Sequence, residues 1–61
     1  MIEIGALVKW DGVFTQAYDS QYNWIGIAKD FSVNPFGQTY WRVLFADTEQ
    51  WCWEKELEII A

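Results

Sequence analysis

Apolar and polar residues alternate in short runs along most of this chain, and no helical period lasts for more than a turn. A period of two is typical of strands that bury one face. The pattern predicts five strands, at residues 6–10, 24–31, 39–46, 50–53 and 57–60. The third is the clearest, because every second residue from Trp41 to Phe45 is bulky and apolar. The chain is therefore predicted to be all-β.

The segments between these strands carry turn chemistry. Asp11 and Gly12 end the first strand, because glycine accepts positive φ without steric cost. Gly26, inside the second strand, predicts a β-bulge or a sharp bend. The predicted connections are a long first loop at 13–23, a second loop at 32–38, a tight hairpin at 47–49 and one 3₁₀ turn at 54–56.

This order of strands and connections resembles the SH3-like barrel. The segments that carry the resemblance are 5–8, 25–28, 40–45 and 56–60, so it spans nearly the whole chain. It implies one domain over residues 1–61, a single five-stranded SH3-like barrel. The spacing looks like the stand-alone small barrels of tailed phages, especially phages of marine cyanobacteria. It is more loosely similar to the barrel subunits of photosystem I and of ferredoxin-thioredoxin reductase.

Signalling SH3 domains bind proline-rich peptides in a groove under an acidic first loop. Tyr18, Asp19 and Tyr22 resemble the opening motif of that loop. Residues 51–54 lack the proline and tyrosine that build the far side of the groove. The resemblance to SH3-like barrels therefore does not extend to their PxxP recognition.

Five tryptophans, three tyrosines and four phenylalanines exceed what a small five-stranded barrel holds inside. Alternation predicts a core of Trp41, Val43 and Phe45 with Val8, Ile27 and Leu57. Trp10 lies at a strand end and stays ambiguous. In the fourth strand, inward Trp51 and Trp53 would overpack this core, whereas an inward Cys52 fits. We expect the second arrangement, and the similar barrels also place a small or medium apolar residue at the position of Cys52.

The aromatic residues expected to face outward form a candidate binding surface. They are Tyr18, Tyr22, Trp24, Tyr40, Trp51 and Trp53, flanked by the carboxylates of Asp19, Glu49 and Glu54. In an SH3-like barrel the first loop crosses the sheet near the third and fourth strands, which would bring these rings together. Ring faces beside carboxylates suit a cationic or proline-containing peptide. Two alternatives stay open, namely rings buried against each other as a minor core and self-association through the same surface.

Nine acidic and four basic residues give a net charge of −5, which disfavours binding to nucleic acid. No apolar run is long enough to span a membrane, and the start of the chain is not a basic secretory signal. We therefore expect a soluble, cytoplasmic protein. Cys52 is the only cysteine, in agreement with a reducing compartment.

The side-chain inventory disfavours catalysis. The chain has no histidine, no nucleophile–base set and no cluster of metal ligands, so neither an enzyme nor a cofactor is expected. Glu54, Glu56 and Glu58 are interpreted as a solvated acidic edge, and Cys52 as an inert core thiol. The predicted function is a non-enzymatic protein–protein interaction module. The alternatives are a homo-oligomeric assembly barrel with tryptophans between subunits, and an accessory subunit of a redox or photosynthetic enzyme.

Overall fold

A computed structural model describes residues 2–12, 15 and 24–61. These residues form five antiparallel strands in one sheet. The strands are β1 (Leu7–Trp10), β2 (Ile25–Val33), β3 (Thr39–Leu44), β4 (Glu49–Trp53) and β5 (Leu57–Ile59), and a 3₁₀ turn at Glu54–Glu56 precedes β5. Among these residues, the predicted all-β architecture and the 3₁₀ turn before the last strand are confirmed. Apart from Thr15, the predicted first loop at 13–23 lies outside the described residues.

The order of the strands in the sheet is β4-β3-β2-β1-β5. The first four strands form a meander, and β5 returns to pair with β1 on the far side. The described pairings leave β4 and β5 at the two edges, so the sheet is not closed. The closed barrel stays a prediction.

The long strand β2 pairs with both of its neighbours, but along different stretches. Its first three residues pair with β1, in the register of Val8 opposite Gly26. Its pairing with β3 continues to Val33 and shifts register between Ala28 and Asp30. An extra residue bends a strand and increases its twist, so β2 can leave β1 and follow β3. The predicted bulge therefore exists, but it lies at Lys29 rather than at Gly26.

One face of the sheet carries the hydrophobic core. The buried residues are Ile2, Val8, Trp10, Trp24, Ala28, Trp41, Val43, Phe45 and Cys52. The predicted inward positions of Val8, Trp41, Val43 and Phe45 are confirmed, and Leu57 packs half-buried against the same cluster. The core thus draws on every strand of the sheet.

The predicted inward position of Ile27 is wrong. Ile27 lies opposite Leu44 on the outer face, whereas Ala28 lies opposite Val43 on the inner face. Gly26 and Ala28 are the inward residues of this stretch, and both are buried. A Cβ atom on Gly26 would collide with the carbonyl oxygen of Leu44. The interior leaves no room here for a large side chain, so the isoleucine faces out.

Three aromatic rings form the centre of the core at one end of the sheet. The Trp10 centroid lies 5.4 Å from that of Trp24 in an edge arrangement and 5.9 Å from that of Phe45 in a stacked one. Trp24 and Phe45 are 5.1 Å apart, again edge to face. Such pairs contribute about 0.5–1.5 kcal/mol beyond the burial of their area. The expected outward position of Trp24 is therefore wrong, because this ring completes the cluster.

We expect Gly26→Ala to lower the free energy of unfolding by about 2 kcal/mol, because the added Cβ atom meets backbone that cannot move aside cheaply. Urea denaturation measures the change. Ser32→Ala, an exposed position on the same strand, is the matched control and should alter stability by less than about 0.5 kcal/mol. Equal stability of Gly26→Ala and the parent would contradict the close approach of β2 and β3.

Candidate functional site

The outer face of β3 and β4 carries three of the predicted binding residues. The register places Tyr40 opposite Trp53 and Arg42 opposite Trp51. Cys52 lies between the two tryptophans and points to the opposite face, where it is buried. The predicted inward position of this cysteine is confirmed. Both neighbouring indoles consequently lie on the outer face, which we call the outer aromatic face (Tyr40, Trp51 and Trp53).

The three rings of this face differ in exposure. Trp51 is 51% exposed, which is unusual for the largest apolar side chain. Trp53 is only partly exposed, because its ring centroid lies 4.4 Å from that of Tyr40 and the Lys55 ammonium lies 4.9 Å from it. Trp51 is thus the most accessible ring of the outer aromatic face.

The charges beside these rings differ from the expected acidic flank. Arg42 lies directly opposite Trp51, and its guanidinium is 3.8 Å from the Asp30 carboxylate across the sheet. Both side chains are partly exposed, so this ion pair contributes little to stability. Glu49 is exposed opposite Leu44, as expected of a flanking carboxylate. The outer face therefore combines a cation at its centre with a carboxylate at its end.

Two carboxylates of the 3₁₀ turn bind buried indoles. The Trp41 Nε1–H donates to Glu54 Oε2 at 2.7 Å, and the Trp10 Nε1–H donates to Glu56 Oε1 at 3.1 Å. The interpretation of this segment as a solvated acidic edge is therefore wrong for these two residues and holds only for Glu58, which is exposed. A buried tryptophan needs an acceptor for its N–H, so the sequence indicated that each indole has a partner but not which residue it is.

Glu56 also fastens the turn to the end of β1. Its backbone carbonyl accepts a hydrogen bond from the Asp11 N–H at 3.0 Å. Its carboxylate occupies the space that a Cβ atom on Gly12 would need. Gly12 does not have the positive φ that the sequence suggested, so the approach of Glu56, rather than the backbone conformation, favours glycine at this position.

Cys52 is buried in the core and cannot act as a nucleophile at neutral pH. Burial, with the negative charge of Glu56 as a second cause, raises the pKa of its thiol from 9.0 to about 12. Its Sγ lies 3.6 Å from the Gln50 carbonyl oxygen, to which the thiol donates. The neutral thiol is thus the species that the folded chain favours. The described residues contain no group of three or more potential metal ligands.

The structure also brings together residues that the sequence did not single out. A groove of about 380 Å³ opens on the inner face at the far end of β2 and β3. Its lining is Ile2, Glu3, Ile4, Phe31, Val33, Thr39, Trp41 and Glu54. The sequence placed Val33 in a loop, because Asn34, Pro35 and Gly37 dominate the pattern there. Their turn is tighter than expected, since Asn34 pairs with Gln38.

The predicted binding residues therefore divide into three groups. Tyr40, Trp51 and Trp53 share the outer aromatic face, with Glu49 on the same side of the sheet. Trp24 lies in the core. Tyr18, Asp19 and Tyr22 lie outside the described residues, so their convergence on this face stays a prediction. Among residues 2–12, 15 and 24–61, no helix is long and apolar enough to cross a membrane.

We expect Glu54→Ala to lower the free energy of unfolding by about 1–3 kcal/mol, because it removes the acceptor from a buried indole N–H. Glu54→Gln should recover much of this loss, since its amide oxygen can accept the same bond. Glu58→Ala removes an exposed carboxylate from the same segment and serves as the control. Thermal or urea unfolding gives the ranking, and equal losses for Glu54→Ala and Glu58→Ala would refute it.

We expect Cys52 in the folded protein to resist a thiol reagent such as Ellman's reagent at pH 8, because its raised pKa leaves almost no thiolate. The urea-unfolded chain should react rapidly with one equivalent. The raised pKa also means that only the unfolded chain loses this proton as the pH rises from about 9 to about 12, so the contribution of Cys52 to stability falls over that range. Rapid labelling of the folded protein would contradict the burial of the thiol.

Comparison of this chain with protein-family models, curated proteins and solved structures found no match. The resemblance to phage barrels and to the photosynthetic subunits therefore stays a hypothesis that rests on the sequence pattern alone.

Proposed function

We propose that this chain is a non-enzymatic protein–protein interaction module that binds a peptide segment of its partner on the outer aromatic face. The observation that supports this proposal is the half-exposed Trp51, which lies on a regular pair of strands rather than on a loop. A rigid strand presents the ring in one orientation without any cost of ordering a loop. Tryptophan is also the residue type most enriched among the residues that dominate binding energies.

The chemistry of this face suits a peptide that contains proline and a basic residue. A pyrrolidine ring stacks on an indole, and an ammonium binds over the face of one. Within the chain, the Lys55 ammonium already lies over the Trp53 ring in this way, 4.9 Å from its centroid. The net charge of −5 favours cationic partners further, and Glu49 supplies a carboxylate on the same side of the sheet. Arg42 beside Trp51 disfavours a second positive charge at that spot, so we place the proline there.

We also propose that the sheet belongs to an SH3-like barrel. A four-strand meander, a 3₁₀ turn and a last strand that returns to β1 are the features that support this assignment. Cytoplasmic location is part of the same proposal, because a single buried thiol suits a reducing compartment.

We expect Trp51→Ala to weaken binding of cationic, proline-containing peptides by at least about tenfold, because it removes the accessible ring of the outer aromatic face. Peptides of Arg-Pro repeats are the probe, and isothermal titration calorimetry measures the dissociation constant. Ile59→Ala, on the opposite edge strand β5, is a control of similar exposure and should bind normally.

Circular dichroism should show both variants folded, since neither side chain belongs to the core. Normal binding by folded Trp51→Ala would refute the assignment of the site. Sedimentation of the free protein tests self-association, and a concentration-dependent dimer that Trp51→Ala abolishes would favour assembly as the function.

A further inference from the structure

A second exposed apolar surface lies on the inner face, opposite the outer aromatic face. It is the groove at the far end of β2 and β3, and its most exposed members are Ile4, Phe31 and Val33, at 64%, 50% and 54%. Phe31 lies opposite Trp41 in the sheet, with their ring centroids 5.1 Å apart. The exposed ring of Phe31 therefore packs against the buried ring of Trp41. The groove is therefore an extension of the core that the described residues leave open.

One wall of the groove is a strand with a free edge. β1 pairs with β2 only as far as Ile27, and the segment before β1 adds two backbone hydrogen bonds, both to Ala28. Beyond Ala28, no backbone pairing to that side of β2 occurs among the described residues. The Phe31 N–H donates instead to the Asp30 carboxylate, at 2.8 Å. An extended peptide can bind such an edge through its backbone while alternate side chains enter the groove.

The charges at the groove have one sign. Glu3 and Glu54 line it, and they are the only charged residues among its described lining. One carboxylate oxygen of Glu54 accepts the Trp41 indole hydrogen bond, so the carboxylate is held in place beside the apolar floor. A fixed carboxylate next to an apolar cavity complements an extended peptide that has an apolar side chain and, two residues away on the same side, a cation.

We propose that this groove is a second docking site, which binds an extended peptide with a bulky apolar residue two positions away from a lysine or arginine, so that both side chains point into the groove. The apolar side chain packs against Phe31, Val33 and Ile4, and the cation binds Glu54 or Glu3. The site is independent of the outer aromatic face, because the two lie on opposite faces of the sheet.

Charge argues against a second copy of this chain as the occupant. Pairing two β2 edges would bring Asp30, Glu3 and Glu54 of both copies together, in a protein whose net charge is already −5. Like charges facing each other at an interface oppose binding. A basic partner gains from the same carboxylates.

The experiment is a titration of the ¹⁵N-labelled protein with the peptide acetyl-Lys-Ser-Leu-Ser-Lys-amide at low ionic strength, followed by NMR. In an extended conformation its leucine and both lysines lie on the same side. We expect shift changes centred on the amides of Ile4, Phe31, Val33 and Thr39, with the indole signal of Trp51 unchanged. Two control peptides separate the contribution of charge from that of the apolar side chain: one replaces the lysines with glutamate and the other replaces leucine with serine. Neither control should bind.

Variants of the groove test the same site. Ile4→Ser should weaken binding about tenfold without unfolding the chain, because this side chain is exposed and lies outside the core cluster. Glu54→Gln should weaken it while keeping an acceptor for the Trp41 indole. Leu44→Ser, on the outer face at the other end of β3, is the matched control and should bind as the parent does.

Three results would overturn the proposal. The first is equal binding of the acidic control peptide, which would remove the role of Glu3 and Glu54. The second is the absence of groove shifts at a peptide concentration of about 1 mM, because a dissociation constant above that value is too weak for a useful docking site. The third is a set of groove shifts that appears in the free protein with rising concentration, which would assign the groove to a second copy of the chain.

Discussion

Two hydrogen bonds between buried indoles and carboxylates connect the two halves of this sheet. β4 and β5 lie at opposite edges and are not paired, so the chain between them must cross the inner face. The 3₁₀ turn makes this crossing, with Glu54 bound to Trp41 of β3 and Glu56 bound to Trp10 of β1. Each bond satisfies an N–H that burial would otherwise leave without an acceptor. The last strand can then pair with the first.

The limited space in the core, on the inner face of the sheet, determines which aromatic residues face out. The thiol of Cys52 is the side chain that β4 buries next to Trp41, and on β2 only Gly26 and Ala28 face inward near β1. Trp10, Trp24 and Phe45 occupy the remaining volume as an edge-to-face cluster. The interior is thus filled by rings from a few positions and by small residues elsewhere. Several other large side chains among the described residues lie on the surface, and two exposed regions result.

These two regions present different chemistry to a partner. The outer aromatic face combines indole rings with Arg42. The rings suit stacking of a proline, and Arg42 restricts bound cations to the margin of the face. The groove on the inner face combines an apolar floor with Glu3 and Glu54 beside a strand edge. Exposed apolar surface costs a small protein solubility and stability, and it is retained mainly where it contacts a partner. The two proposed sites lie on opposite faces of the sheet, so binding at one would leave the other accessible.

The alternation of residues predicted the five strands, because a period of two assigns each side chain to a face. The inward position of Cys52 needed a further argument, namely that inward Trp51 and Trp53 would overpack the core. Alternation could not place Ile27 or the bulge at Lys29, since both depend on how closely β2 approaches the backbone of Leu44. Nor could it show that Trp24 completes a ring cluster or that Glu54 and Glu56 bind indoles, because these partners are distant along the chain. Faces follow from local pattern, whereas the available space and the hydrogen-bond partners are properties of the folded chain alone.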